Sequence, residues 1–581
     1  LRRALAARRE IGGGRDPRSR IRGRVDPSLG GGPESYRLVL GPGGAELTAG
    51  GPAGLFYAAQ TLAQCLAAAP AGRPELRLPG LVIDDAPALA GRGVLLDVSR
   101  NKVPTLATLF ELVDRLASLK INQLQLYMEH TFAYPGHEPV WRGASPLTAE
   151  EVRRLDRHCA ERHVELVPNQ NSFGHFHRWL VHPRYRHLAE RPDGVQHPFS
   201  DVREPFSLCP VDPRSLELLE ELYDELLPNF TSGQLHVGFD ETFDLGTGRS
   251  AAACAERGRG RVRLEFLRQV HRLAAGHGRR IQFWADGLLE QPELIAELPA
   301  DATAVVWRYE AGAPFGERCR PFADAGRPFA VCAGTSSWIS FAGRWRNALV
   351  NVAEAAAAAR ATGAGGLLIA DWGDLGHLQP LVAAWPGLLA GAEAAWRGGG
   401  EGPGGRPWPE LLDRHLFLRP GYGAVLRRLG EAHLATGVLL ANGTVLGRLV
   451  LSHRDRLVHP RYQRLRLDGL AAAAAEIDAA LRELAALPHP GDEPAGDELA
   501  WTGRALAFAA RLGEARLRAG RKSEIEHLPS AARRDLRALL DPLVEELPGV
   551  WLSRNRPGGL ADSRRRLTTL AARLGAAPTP L

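Results

Sequence analysis

The sequence predicts an α/β fold: a (β/α)8 TIM barrel with a small N-terminal α+β domain and a C-terminal helical domain. Three observations carry this. Eight short apolar or β-branched runs alternate with amphipathic helical stretches between Gly93 and Arg397. The first run leads into Asp97-Val98-Ser99-Arg100-Asn101, not into the glycine-rich phosphate loop that an open doubly wound sheet normally carries there. Acids and tryptophans gather where successive runs end, the rim on which barrels of this kind build their sites.

The elements follow in order. The chain has 581 residues. A single core stops growing at roughly 250–300 residues, so several domains are expected. Domain limits are read at 1–90, 91–400 and 401–581. In the first, residues 36–40 read as a strand, Gly41-Pro42-Gly43-Gly44 as a turn and residues 45–47 as a return strand. A helix with Leu55, Ala59, Leu62 and Cys65 on one side follows. The barrel strands are read at 94–98, 122–127, 164–168, 234–239, 281–285, 303–307, 328–332 and 366–370. Helical text lies between them, and only a short link joins the fifth to the sixth. A Gly/Pro-rich break at 398–407 opens the third domain, whose Ala/Leu/Arg/Glu-rich text is helical throughout. A long exposed helix there would suit contacts in a homodimer.

Composition excludes several classes. The formal charge is +6, but the basic residues are almost all Arg, mixed with Glu and Asp along helices. That is a solvated surface, not a stripe for nucleic acid. No apolar run reaches the ~18–20 residues of a membrane span. Cysteines at 65, 159, 209, 254, 319 and 332 form no C-x-x-C pair, so neither a disulfide framework nor a zinc site is expected. The start, Leu1-Arg2-Arg3-Ala4-Leu5, has no apolar stretch behind it, which favours a cytoplasmic location. The chain does not begin with Met, so this expectation covers only the sequence in hand.

The strand ends carry the chemistry. Strand 2 ends in Glu129-His130, strand 3 in Asn169-Gln170-Asn171 with Gly174-His175 beyond, and strand 4 in Asp240-Glu241. Strand 5 ends in Trp284-Ala285-Asp286 and strand 6 in Trp307-Arg308-Tyr309-Glu310. Trp338 follows strand 7, and strand 8 ends in Asp371-Trp372-Gly373-Asp374. Tryptophan faces stack on the C–H faces of a sugar while carboxylates accept its hydroxyl hydrogens, so this box favours carbohydrate over phosphate. Adjacent acids inside a strand would face opposite ways. At a strand's end the pleat relaxes, and two neighbours can reach one pocket for unequal tasks. His175 lies near His177 and His182, but no acid or Cys joins them at metal-ligand spacing. No metal or cofactor is expected.

On these residues the chain resembles the family-20 glycoside hydrolases, the β-N-acetylhexosaminidases. The His-x-Gly-x-Asp-Glu motif stands at His236, Gly238, Asp240 and Glu241. Further matches are Arg92-Gly93 with Asp97 and Arg100 at strand 1, Gly174-His175, and Trp372-x-Asp374. The resemblance implies a retaining, substrate-assisted hydrolysis of terminal N-acetylhexosamine, an exception to the two-carboxylate scheme. Glu241 would be general acid and base, and Asp240 would hold the 2-acetamido group. His175 would bond toward Glu241, with Glu129 behind it. Arg92 would bind the O3/O4 edge of the sugar and Asp374 the O4/O6 edge. Trp284, Trp307 and Trp372 would wall the pocket, and Trp338 would lie at the pocket or on the leaving-group side. The family's Tyr-x-Asp after strand 7 is missing here, where Gly334–Trp338 stands instead; Tyr309 on strand 6 is one candidate to bind the acetamido carbonyl, and the replacement stays open. Phe173 stands where much of the family has Pro, and Asp374 where Glu is commoner. Two other readings stay open: a barrel that binds amino sugar without turning it over, and a hydrolase of another sugar that uses a protein nucleophile.

Overall fold

The computed structural model describes residues 20–42, 44–68, 79–198, 202–398, 405–488 and 494–576. The basic start at Leu1–Leu5, Gly43 of the first turn and most of the Gly/Pro-rich break lie outside the described residues.

Eight parallel strands form the barrel: Gly91–Asp97, Gln123–Tyr127, Glu165–Val167, Gln234–His236, Arg280–Trp284, Thr303–Trp307, Phe329–Gly334 and Gly366–Asp371. Within the sheet each strand pairs with its chain neighbours, and the eighth pairs with the first. A parallel bridge from Asn169 to His236 joins strand 3 to strand 4 and closes the ring. The helices between strands start where their side chains can cap them. Thr105 accepts from the Thr108 amide ahead of Leu106–Ser118. Thr148 and Glu151 form a reciprocal capping box ahead of Ala149–Ala160. Each such cap contributes about 1 kcal/mol.

The barrel interior is partly polar. Asn169 donates through Nδ2 to Gln125, Gln125 through Nε2 to Gln282, Gln282 to Gln234, and Gln234 to Glu165, at 3.0, 2.8, 2.6 and 2.9 Å. Every amide in this ladder donates in the same direction. Its inner members Gln125, Asn169 and Gln282 are buried, so each bond satisfies a group that has little access to water.

The N-terminal domain is a four-stranded sheet, Arg20–Val25, Tyr36–Gly41, Gly44–Ala49 and Leu81–Asp85, backed by the helix Pro52–Ala68. The strand at 20–25 is RIRGRV, Arg- and Gly-rich text in which Gly23 interrupts the apolar alternation that marks a strand. The core of this domain (Tyr36, Leu38, Leu47, Tyr57 and Leu62) is completed by Trp396 from the last barrel helix.

Arg92 belongs to this seam and corrects the sequence reading. It stands at the beginning of barrel strand 1, at the end of the barrel away from the site. Its guanidinium bonds Glu34 at 2.8 and 2.9 Å, and also the carbonyls of Leu89, Ala90 and Lys120. Its side chain is 0% exposed. A buried cation so fully occupied by protein acceptors has no donor left for a sugar.

The C-terminal domain consists mainly of the helices Tyr422–Glu431, Val445–Leu451, Leu467–Ala485, Pro494–Arg518, Ser530–Leu552 and Leu560–Gly575. They rest on the loops that leave barrel strands 1, 7 and 8. The Arg556 amide donates to Val103 O, the Thr444 amide to Ile339 O, and Ser563 Oγ to Gly376 O. All six cysteines are free thiols. Among the described residues no helix is long and apolar enough to cross a membrane.

Replacing Arg92 by Met leaves Glu34 without its ion partner in the seam. Breaking one side of such a pair costs about 3 kcal/mol. Denaturant unfolding should show a loss of that order for Arg92→Met, with KM for any substrate unchanged. A raised KM at unchanged stability would restore Arg92 to substrate binding.

Candidate active site

Strand 4 stops at His236, three residues earlier than its apolar text suggests. Gly238 and Phe239 take φ of 73° and 79°, and Glu241 takes 52°. These left-handed residues break the pleat and turn two consecutive acids toward one place. Glycine is required at 238 on two counts: the positive φ, and an Asn171 carboxamide packed where a Cβ would stand. Gly174 meets a similar constraint, since a Cβ there would sit 2.7 Å from Asp240 O. This close approach brings His175 onto the acids.

His175 is the hub. Its Nε2 lies 3.3 Å from Asp240 Oδ2 and 3.4 Å from Glu241 Oε2, and its Nδ1 lies 3.5 Å from Glu129 Oε1. Asp240 and Glu241 therefore share one partner. Tyr127 donates to Glu129 at 3.0 Å, and Asn171 Nδ2 donates to Asp240 Oδ1 at 3.1 Å. Asn171 was visible at the end of strand 3 but had no role assigned. Its signal was position alone.

Arg100, at the other end of strand 1 from Arg92, is the arginine of this site. It pairs with Asp97 at 3.0 Å and Asp374 at 3.4 Å, and approaches Glu129 at 3.9 Å. Its guanidinium stacks over Tyr127 and Trp372, 5.1 and 4.9 Å from the ring centroids. Asp97 also accepts from the Gly373 amide, which ties the loop after strand 8 to that after strand 1. Asp374 keeps 38% of its side chain exposed beside this arginine, available to a ligand.

The aromatic residues form a connected wall. Trp284 packs against His236 at 4.6 Å and Trp372 at 6.0 Å, and Trp372 meets Tyr127 edge-on at 5.0 Å. Trp307 and Tyr309 are stacked at 5.2 Å. Burial first, with the nearby acids Asp240 and Glu241 adding to it, pushes the Tyr309 phenol well above its ordinary range. Tyr309 joins the same aromatic wall through its stacking on Trp307. Trp338 stands behind it, edge-on at 5.2 Å and 1% exposed. This corrects the leaving-group-side reading of Trp338. Its loop is buried under the C-terminal helices, with Phe341 against Trp501, so Trp338 supports the wall from the rear.

The charges are arranged unequally. Burial opposes a charge on His175, but Asp240, then Glu241 and Glu129, outweigh it and raise the ring's pKa to about 10. The ring is an imidazolium at neutral pH. Burial also opposes the Asp240 carboxylate, yet His175 and then Arg100 hold it below its usual range. Asp286 differs: burial, reinforced by the charge on Asp240, pushes it up to about 6. Burial drives His236 down to about 3, leaving a neutral ring whose Nδ1 accepts the Gly238 amide at 3.1 Å. Ligand-type atoms of His175, Asp240 and Glu241 lie within 4.8 Å of one another. A metal there would first have to displace a proton from the imidazolium. The arrangement suits proton transfer beside a stabilised carboxylate.

Residues 90–354 match the model of glycosyl hydrolase family 20, catalytic domain, and residues 3–86 match glycosyl hydrolase family 20, domain 2. A β-hexosaminidase of Akkermansia muciniphila is 29% identical over 282 residues, 44% of this chain and 56% of that protein. One of Porphyromonas gingivalis is 26% identical over 315 residues, 50% of this chain and 39% of that protein. The chain thus spans about half or less of the length of these curated relatives. Among solved structures, a chitobiase of Flavobacterium johnsoniae superposes with a TM-score of 0.60 at 18% identity, covering 93% of this chain and 89% of that one. A β-N-acetylhexosaminidase of Bacteroides fragilis gives 0.55 at 18% identity, covering 68% and 84%. At such identities the structural likeness concerns the fold alone.

The His175 pKa of about 10 lies above its ordinary 6.5. Its charge therefore stabilises the fold fully below pH 6.5, and that contribution disappears as pH rises through about 10. Denaturant midpoints should fall across this window in the wild type and fall less in His175→Gln. Equal slopes would mean that the ring is neutral in the fold.

Proposed function

The chain belongs to family 20 of the glycoside hydrolases, and on that premise we propose that it is a β-N-acetylhexosaminidase. It removes terminal non-reducing GlcNAc or GalNAc with retention of configuration. The observation that carries this reading is the sharing of His175 by Asp240 and Glu241, which brings two consecutive acids to one ring nitrogen.

Glu241 donates a proton to the glycosidic oxygen as the bond to C1 breaks. The carbonyl oxygen of the substrate's own 2-acetamido group attacks C1 and closes a cationic oxazolinium ring. Such an intramolecular nucleophile gains from proximity, with effective molarities of about 10⁵ M or more in good cases. Asp240, kept ionised by His175 and Arg100, accepts the acetamido N–H and offsets the positive charge as it develops. Glu241, now a carboxylate, takes a proton from water, and the water oxygen opens the ring at C1. No protein nucleophile is needed. Trp284, Trp307, Trp372 and Tyr309 enclose the acetamido group. Arg100, in the place first given to Arg92, holds the sugar's hydroxyl edge together with Asp374.

The test is hydrolysis of a chromogenic β-N-acetylglucosaminide and its galacto-configured counterpart. Glu241→Gln should lower kcat by about 10²–10⁴-fold, the usual contribution of a general acid. Asp240→Asn should lower it comparably and weaken binding of a thiazoline mimic of the bicyclic intermediate. Equal turnover of a glucoside lacking the acetamido group would replace this mechanism with one that uses a protein nucleophile. Binding without turnover by the wild type would mark the barrel as an amino-sugar receptor.

A further inference from the structure

A third carboxylate stands next to the two acids and has no part in the scheme above. Asp286 opens the short helix Asp286–Leu289 at the exit of strand 5. Each of its oxygens receives a different N–H. The Glu241 backbone amide donates to Oδ2 at 3.4 Å, and the Trp307 indole Nε1 donates to Oδ1 at 3.2 Å. One side chain thus grips the main chain of the proton donor and a ring of the aromatic wall.

We propose that Asp286 is a positioning residue of this reaction, fixing the spacing between Glu241 and the Trp307 side of the acetamido pocket. The inference rests on the hydrolase reading and extends it to a residue that the scheme above does not use.

Three features support it. Glu241 has φ of 52°, a conformation an L-residue adopts at a cost, and it persists only where neighbours hold it. The Asp286 acceptor is one such hold. Second, the same pair of loops is braced again from behind. Arg263 is buried, donates to Thr242 Oγ1 at 3.1 Å and to the Gly287 carbonyl, and so ties the exit of strand 4 to that of strand 5. Third, a carboxylate presents two acceptor oxygens, and protonation turns one into a donor. Asp286 titrates at about 6, raised by burial and by Asp240. The other charges that act with it are Arg263, Arg308 and Arg318. As pH falls through about 6 the side chain loses its hold on one of its two donors. Protonation of Asp286 should therefore add an acid limb to kcat/KM near that pH.

The experiment compares wild type, Asp286→Asn, Trp307→Phe and the double variant, with the chromogenic β-N-acetylglucosaminide and the thiazoline mimic. Asp286→Asn keeps the shape but leaves one good acceptor. It should lower kcat/KM by about 10–100-fold, the scale of lost outer-sphere support. KM and the thiazoline Ki should rise, and the acid limb should move to lower pH. Because the Asp286–Trp307 bond is lost in both single variants, the double variant should lose clearly less than the product of the two single losses. A merely structural Asp286 would lower thermal stability and active fraction while leaving KM, Ki and the pH profile in place; that result overturns the proposal, as do fully additive effects. If Asp286→Asn does not fold, Trp307→Phe alone decides, since removing the indole N–H must shift the acid limb, and an unmoved limb overturns the proposal. A wild type that binds the mimic without hydrolysing substrate would strike the hydrolase reading, and the Ki series would still judge Asp286.

Discussion

One protonated imidazole makes this site possible. Asp240, Glu241 and Glu129 all lie within 3.5 Å of His175 ring nitrogens, and a buried cluster of carboxylates without a cation would repel itself apart or take up protons. With the ring charged, Asp240 stays ionised while burial raises Asp286 nearby. The two neighbouring carboxylates thus part ways: Asp240 keeps its charge to face a developing cation, and Asp286 titrates at about 6 while holding the Glu241 amide. The ring depends in turn on a main-chain arrangement. Gly174 must approach Asp240 O, and Gly238 must leave room for Asn171, before three side chains from strands 2, 3 and 4 can meet.

The other two domains act on the barrel from opposite ends. The small sheet is locked to the start of strand 1 through Arg92 and to the last barrel helix through Trp396. The C-terminal helices hold the loops at the other end. They press the strand-7 loop inward so that Trp338 stands behind Tyr309, and they fix the strand-8 loop beneath Trp372 and Asp374. The helical domain is therefore part of the site's scaffold without itself supplying the acids.

Much of this was legible in the residues. Eight runs of mainly apolar text marked eight strands, because a parallel strand covered by helices keeps its outward face aliphatic even where Gln125, Gln234 and Gln282 turn amides inward. The Asp-Glu pair at the fourth strand end was equally visible. What local pattern did not reveal was geometry at the ends of elements. Strand 4 reads apolar through Phe239, yet positive φ at Gly238 and Phe239 stops it at His236. The two arginines of the first strand's motif look interchangeable in text. At roughly 3.3 Å per residue, a separation of eight places them at opposite ends of the barrel. Only Arg100 follows its strand and reaches the rim. Asn171 and Asp286 were in view at strand ends, but a hydrogen bond to a neighbouring strand's residue leaves no trace in spacing.

The amide ladder inside the barrel has an evolutionary consequence. Because Asn169, Gln125, Gln282 and Gln234 all donate one way, exchanging Gln125 for an aliphatic residue strands the Asn169 donor on one side and the Gln282 acceptor on the other. Two deserted polar groups in a dry interior are a heavier loss than the methylenes regain. Drift toward a wholly greasy interior must therefore proceed through paired or wholesale replacement. This lineage is held to its polar centre by the difficulty of leaving it one residue at a time.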